Sequence, residues 1–168
     1  MTDPRRSSLG YMSRLLNQRL RERSELYFKQ NGLPLDIPKY IVVYKLSQQS
    51  PLTVAQIADW EDTSPAFVWM QVANLLEDGY VKVENPGEEL ALRRLVLTDL
   101  AQEQMLAIMS CPMMALQDAF GDWEEEKKHE MVAKLNELVG NLEQSAPPAS
   151  LPSSDHLPED HPAKDTGE

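Results

Sequence analysis

The chain has 168 residues, 42% of them apolar and 26% charged, so it reads as one globular domain with appendages and excludes wholesale disorder and fibrous repeats. Its net charge of −11 is uneven: residues 1–30 hold seven basic side chains against three acidic ones, residues 31–144 hold eight against nineteen, and the last 24 residues add −4. An acidic body disfavours nonspecific binding to nucleic acid, because that affinity comes from lysine and arginine displacing counterions.

Between Ser7 and Gln30, Leu9, Met12, Leu16, Leu20 and Tyr27 recur at helical spacing among Arg14, Arg19, Arg21 and Arg23. This predicts an amphipathic helix that stops at Asn31-Gly32, with Pro34 beyond. A second helix is predicted from about Pro38 through Tyr40, Val43, Tyr44 and Leu46 to the polar stretch Ser47–Ser50. Pro51-Leu52-Thr53 starts a short third helix with Val54, Ile57 and Ala58 inward, interrupted at Glu61-Asp62-Thr63. Ser64 suits an N-cap and Pro65 the first position of a fourth helix, in which Val68, Val72, Leu75 and Leu76 repeat until Gly79. Helix, tight turn, helix is the inference.

From Tyr80 to Glu84 the pattern alternates, Asn85-Pro86-Gly87 supplies a turn, and Leu90 to Leu97 reads as a second strand, giving a hairpin. Thr98 caps a further helix carrying Leu100, Met105, Leu106 and Met109, which Pro112 is predicted to kink or break. Asp122 is the predicted cap of the last helix, with Glu124, Glu125 and Glu126 early and Lys127, Lys128 and Lys134 later, the order the helix dipole favours. Met131, Leu135, Leu138 and Leu142 form its apolar stripe. After Ser145, five prolines and five acids against two leucines predict a disordered acidic tail.

No apolar run approaches the 18 residues a membrane span needs, and Arg5 and Arg6 have no apolar signal core behind them, so a cytoplasmic protein without membrane contact is expected. The single cysteine, Cys111, fits a reducing compartment; with no His, Lys or Arg within ten residues to lower its pKa, it reads as an inert buried thiol. Of three histidines, His156 and His161 fall in the tail and only His129 in the folded part, so neither a metal nor another cofactor is assigned. Adjacent helical acids such as Glu124–Glu126 fan around the axis rather than converge, and no nucleophile–base pair or phosphate loop is present, so an enzyme is not expected. Met105, Met109, Met113 and Met114 around Pro112 read as core or dimer packing.

The element order resembles the MarR family of winged helix-turn-helix regulators over residues 7–144. The resemblance is carried by Leu52-Thr53 followed by Ile57-Ala58, by Leu75 to Gly79 with Tyr80-Val81 after it, and by Leu97-Thr98 at the exit from the wing. It implies a mainly α fold with a small two-stranded β-wing: a flexible N-terminus 1–6, a winged-helix core 37–98, dimerisation helices 7–30 and 99–144, and the tail 145–168. It further implies a homodimeric transcriptional regulator whose fourth helix enters the major groove of double-stranded DNA while the wing tip reaches the minor groove. Terminal helices this apolar also need a covering surface on physical grounds, which places Leu9, Met12, Leu16, Leu135, Leu138 and Leu142 in the dimer interface.

The residues that would meet DNA depart from the family pattern. Outward positions of the fourth helix are Pro65, Ala66, Phe67, Trp69, Met70, Ala73 and Asn74, without a single Lys or Arg in the helix. At the wing tip the family's Asp–x–Arg falls on Glu89, Leu90 and Ala91, and the turn before the fourth helix has Glu61-Asp62 where Leu-Gly is usual. Residues 51–98 carry three basic side chains against eight acidic ones, which weakens any phosphate contact. The DNA candidates are therefore Ser64, Asn74, Lys82, Arg93 and Arg94. The alternative function is a winged-helix protein that has exchanged DNA for a protein partner, anchored by Phe67, Trp69 and Met70.

Overall fold

In the computed structural model, residues 8–144 are described. The predicted tail at 145–168 and the N-terminal 1–6 lie outside the described residues. Contacts divide the chain into two units, one ending at Gly121 and one starting at Asp122.

The first unit opens with α1 (Leu9–Gln30), capped by Ser8, and ends at Asn31 with Gly32 at φ 68°. That left-handed conformation is cheap only without a Cβ, which is why the Asn-Gly pair closes the helix. α2 (Ile37–Gln48) starts on Asp36, whose carboxylate accepts from the Lys39 amide at 2.9 Å, with Pro38 in the first turn. α3 (Val54–Trp60) opens on a reciprocal capping box: the Gln56 amide donates to Thr53 Oγ1 and the Thr53 amide donates to Gln56 Oε1. α4 (Pro65–Glu77) follows, and Gly79 at φ 75° turns the chain into the sheet.

β1 (Val81–Val83) pairs antiparallel with β2 (Leu95–Leu97), Val81 opposite Leu97 and Val83 opposite Leu95. Leu52 adds a bridge on the other edge of Leu95, tying the start of the helix-turn-helix to the wing. The strand expected from Leu90 is shorter than predicted: Leu90–Leu92 form a 3-10 turn and only Leu95–Leu97 are extended. Asn85 explains the difference, because its side chain accepts from the Arg94 amide at 2.6 Å and donates to the Leu92 carbonyl at 3.3 Å, folding that segment back on the turn.

α5 (Asp99–Glu103) is capped by Thr98, and α6 (Met105–Phe120) continues after an interruption at Gln104. Of the kink or break predicted at Pro112, the break is not there: Pro112 sits inside α6, and the helix is interrupted instead at Gln104, whose ψ is 0° and whose side chain accepts a hydrogen bond from the Tyr80 hydroxyl. A proline inside a helix costs about 3 kcal/mol. Packing of α6 along α1, with Ile108, Cys111 and Ala115 buried, offsets it.

Phe28, Val43, Leu46, Ile57, Leu75 and Leu95 are among the fully buried residues that join α1 to α4 and the sheet in one core. Across the α1–α6 contact, Asp118 accepts from Arg23 Nε at 2.7 Å and from the Tyr27 hydroxyl at 2.5 Å. The Tyr27 hydrogen bond, with Arg23 beside it, holds the Asp118 carboxyl below its ordinary value. Cys111 donates to the Ala107 carbonyl, and burial pushes its thiol up, as expected of an inert cysteine.

The second unit contains α7 (Glu125–Gln144). It begins three residues after the predicted cap Asp122: the Lys128 amide bonds to the Glu124 carbonyl, so Glu124 holds the cap position. Lys128 Nζ pairs with Glu125 at 2.6 Å, and Leu135, Leu138 and Leu142 are exposed along the helix.

Candidate nucleic-acid interface

The turn between α3 and α4 runs through Asp62 at φ 50°, and the Thr63 amide returns to the Ala58 carbonyl at 3.0 Å. Ser64 then caps α4, its Oγ accepting from the Phe67 amide at 3.2 Å. Replacing Ser64 by alanine is expected to lower stability by about 1 kcal/mol, read as a shift in the urea midpoint, because it orphans an amide at the helix start.

Val68, Gln71, Val72 and Leu75 form the buried face of α4. Opposite them Phe67, at 42% exposure, and Met70, at 54%, face solvent, and Asn74 is exposed on the same side. Trp69 differs from its predicted outward position: it is half-buried and packs on the core. With Val54, Pro65, Ala66, Leu90 and Ala91 it lines an apolar cleft of about 510 Å³ between α4 and the wing. Trp69 owes its partial burial to the core it packs against, and the fold of the wing brings Leu90 to the same cleft.

Both wing arginines already have partners. Arg94 lies 3.1 Å from the Glu84 carboxylate, and the half-buried Arg93 donates from Nε to the Glu88 carbonyl at 3.3 Å. Lys82 is exposed on β1, but it lines a different cleft, shared with Ser47, Ser50 and Gln102. Thus Ser64 and Asn74 share α4, Arg93 and Arg94 share the base of the wing, and Lys82 stands apart. The turn at Asn85-Pro86-Gly87 was legible in the sequence, but the side-chain hydrogen bonds of Asn85 and the pairing of Glu84 with Arg94 were not.

No protein-family model matches the chain, and neither does any curated protein. Solved structures do. A MarR family protein of Mycobacterium tuberculosis in complex with DNA superposes with a TM-score of 0.64 at 18% identity, covering 78% of this chain and 97% of the other. The chain has the MarR-type winged-helix fold. A MarR transcriptional regulator from Methanosarcina mazei gives a TM-score of 0.69 at 12% identity over 84% of this chain and 92% of its own. A MarR/EmrR family regulator from Acinetobacter sp. gives 0.64 at 21% identity over 86% of this chain and its entire length. In the MarR-type fold the helix α4 and the hairpin form one continuous module, and here that module carries an apolar helix face and an internally paired wing. Among the described residues no helix is long and apolar enough to cross a membrane, and no three His, Cys, Asp or Glu side chains are grouped to hold a metal.

Proposed function

We propose that the chain is a MarR-like transcriptional regulator that binds double-stranded DNA as a homodimer. The observation that carries this reading is the helix-turn-helix and wing module, whose fold matches that of the M. tuberculosis protein in complex with DNA over nearly all of that protein's length. In this reading α4 is the major-groove helix, with Ser64 at its start and Asn74 as its base-reading side chain; Asn can pair two atoms of an adenine edge. Lys82 and Arg93 supply phosphate contacts, and Arg94 lies beside Arg93 but is held by Glu84. With five more acids than bases over residues 51–98, binding is weak at physiological salt.

The homodimer is supported by apolar side chains left in water: Leu9, Met12 and Leu16 on α1, Leu106 and Met113 on α6, and Leu135, Leu138 and Leu142 on α7. The proposed division is a winged-helix core at 37–98 and dimerisation helices at 7–30 and 99–144, with the tail 145–168 outside it. The lone cysteine fits a reducing compartment, which supports a cytoplasmic location. A second reading is favoured by exposed Phe67 and Met70 beside the cleft floored by Trp69: a protein partner in place of DNA.

The test is a low-salt mobility shift on the DNA upstream of the protein's own gene, with light scattering on the same sample. A retarded band below micromolar protein and a mass twice that of the 19.1 kDa chain are expected. No band at micromolar protein would overturn the DNA reading, and a monomer would overturn the dimer.

A further inference from the structure

The cleft of about 510 Å³ between α4 and the wing is a trough open to solvent, and its lining, with Val54, Pro65, Ala66, Trp69 and Leu90, offers almost no polar atom. Apolar surface continues beside it: Met70, one turn after Ala66 on α4, and Leu92, two residues after Leu90, are each more than half exposed. The charge around it has one sign. Residues 46–81, which span α3, the turn and α4, contain five acids and no Lys, Arg or His. On the wing, the exposed Glu88 and Glu89 lead into Leu90. Among the described residues Asp59, Asp62, Glu88 and Glu89 take part in no ion pair, whereas both wing arginines are engaged, Arg94 by the Glu84 carboxylate and Arg93 by the Glu88 carbonyl.

We infer that this trough docks a basic amphipathic helix of a partner protein, with its apolar stripe on Trp69 and Leu90 and its lysines or arginines against the surrounding acids. The docking site rests on the reading of α4 as a protein-binding surface and specifies the partner's chemistry. A small ligand is oriented by a few placed polar groups, and the trough has nearly none. An apolar centre inside a charged, exposed rim is instead the anatomy of a protein interface, and an aromatic such as Trp69 is the usual anchor. Charge then selects the partner. Phosphates, an anionic membrane and a second copy of this chain, itself at −11, all meet like charge at the uncompensated acids. A positive partner is attracted there, and the rim acids steer its encounter. The apolar surface running from Leu92 and Leu90 across the trough to Met70 suits the i, i+3, i+4 and i+7 anchors of a helix laid in a groove. A docked helix covers Pro65 and Ala66, so it and DNA exclude each other at α4.

Fluorescence anisotropy with the full chain at about 0.1 M salt tests the site, using labelled synthetic helices of about four turns with one leucine face and an opposite face of lysine, glutamine or glutamate. The lysine peptide is expected to bind at least about tenfold more tightly than the glutamine peptide, and the glutamate peptide not at all. Ala66→Arg, which fills the trough and reverses its charge, should weaken the lysine peptide at least about tenfold, and Glu89→Lys severalfold. Glu103→Lys, at an exposed acid of α5 outside the trough, should change it less than about twofold. Circular dichroism melting checks that each variant folds. Equal binding of the lysine and glutamine peptides would overturn the basic partner while a protein partner at α4 stands, and no binding by any peptide would overturn both. Lysine-peptide binding that Ala66→Arg leaves unchanged, or that Glu103→Lys weakens as much as Glu89→Lys, would overturn the site, meaning attraction to an acidic chain at large. Since no DNA enters the titration, a failed mobility shift leaves this result standing, and the reverse also holds.

Discussion

Phe28→Ala is expected to remove about 3–5 kcal/mol of stability, the range for emptying a buried aromatic site in a core that cannot collapse around it. Phe28 is completely buried, with its ring 5.8 Å from that of Tyr40, and its carbonyl receives the Leu33 amide at 2.9 Å just after α1 ends. One side chain therefore fastens the long first helix to α2 and to the core it shares with α6. A domain of this size has only about 5–15 kcal/mol in total, so the variant should populate unfolded chains at moderate urea. Leu92→Ala, on an exposed wing residue, should stay within about 0.5 kcal/mol and serves as the control. Urea unfolding followed by circular dichroism measures both. A loss below about 1 kcal/mol for Phe28→Ala would show that α1 is not anchored by this contact.

Phe28 also shows where reading the sequence stops. The apolar stripe of α1 was visible as Leu9, Met12, Leu16, Leu20 and Tyr27; the first three, assigned to a dimer interface, are exposed, Tyr27 packs against the core, and the residue buried completely in it is Phe28, which the stripe left out. Helical periodicity tells which residues share a face; it does not tell which neighbour that face meets. Local signals fared better, because their physics is local. Ser64-Pro65 opens α4, Asn31-Gly32 closes α1 with a positive φ, and Gly79 turns the chain out of α4.

What stayed hidden depends on contacts distant in sequence. Gln71 lies within the inward stripe of α4 but is polar, so a search for apolar residues passed over it, although it is buried with Val68, Val72 and Leu75. Trp69 is half-buried because it packs against a core built from residues distant in sequence. Leu90 to Leu97 alternates well enough to pass for one strand, and the two hydrogen bonds from Asn85 decide otherwise. At Pro112, local propensity favoured a break and the α1 contact prevailed.

The wing gives the second large effect. Arg94, the better exposed of the two arginines, faces the Glu84 carboxylate at 3.1 Å, so a phosphate approaching it must displace an anion already in place and meets a like charge beside it. Such an exposed pair contributes at most about 1 kcal/mol to stability, so breaking it leaves the fold intact. Glu84→Gln keeps the shape and removes the competing charge. With one wing per subunit, a dimer gains two phosphate contacts, and the slope of log K against log salt should steepen by about two. At 0.1 M salt, relative to the 1 M limit where the electrostatic contribution vanishes, that amounts to roughly one to two orders of magnitude tighter binding. Arg94→Ala should have little effect in the natural chain, where Glu84 holds the guanidinium, and should cancel the whole gain in the Glu84→Gln background. Filter binding at several salt concentrations reads both slopes. If Glu84→Gln leaves affinity and slope unchanged while the natural protein still binds DNA, the wing does not touch the phosphates, and recognition rests on α4 alone.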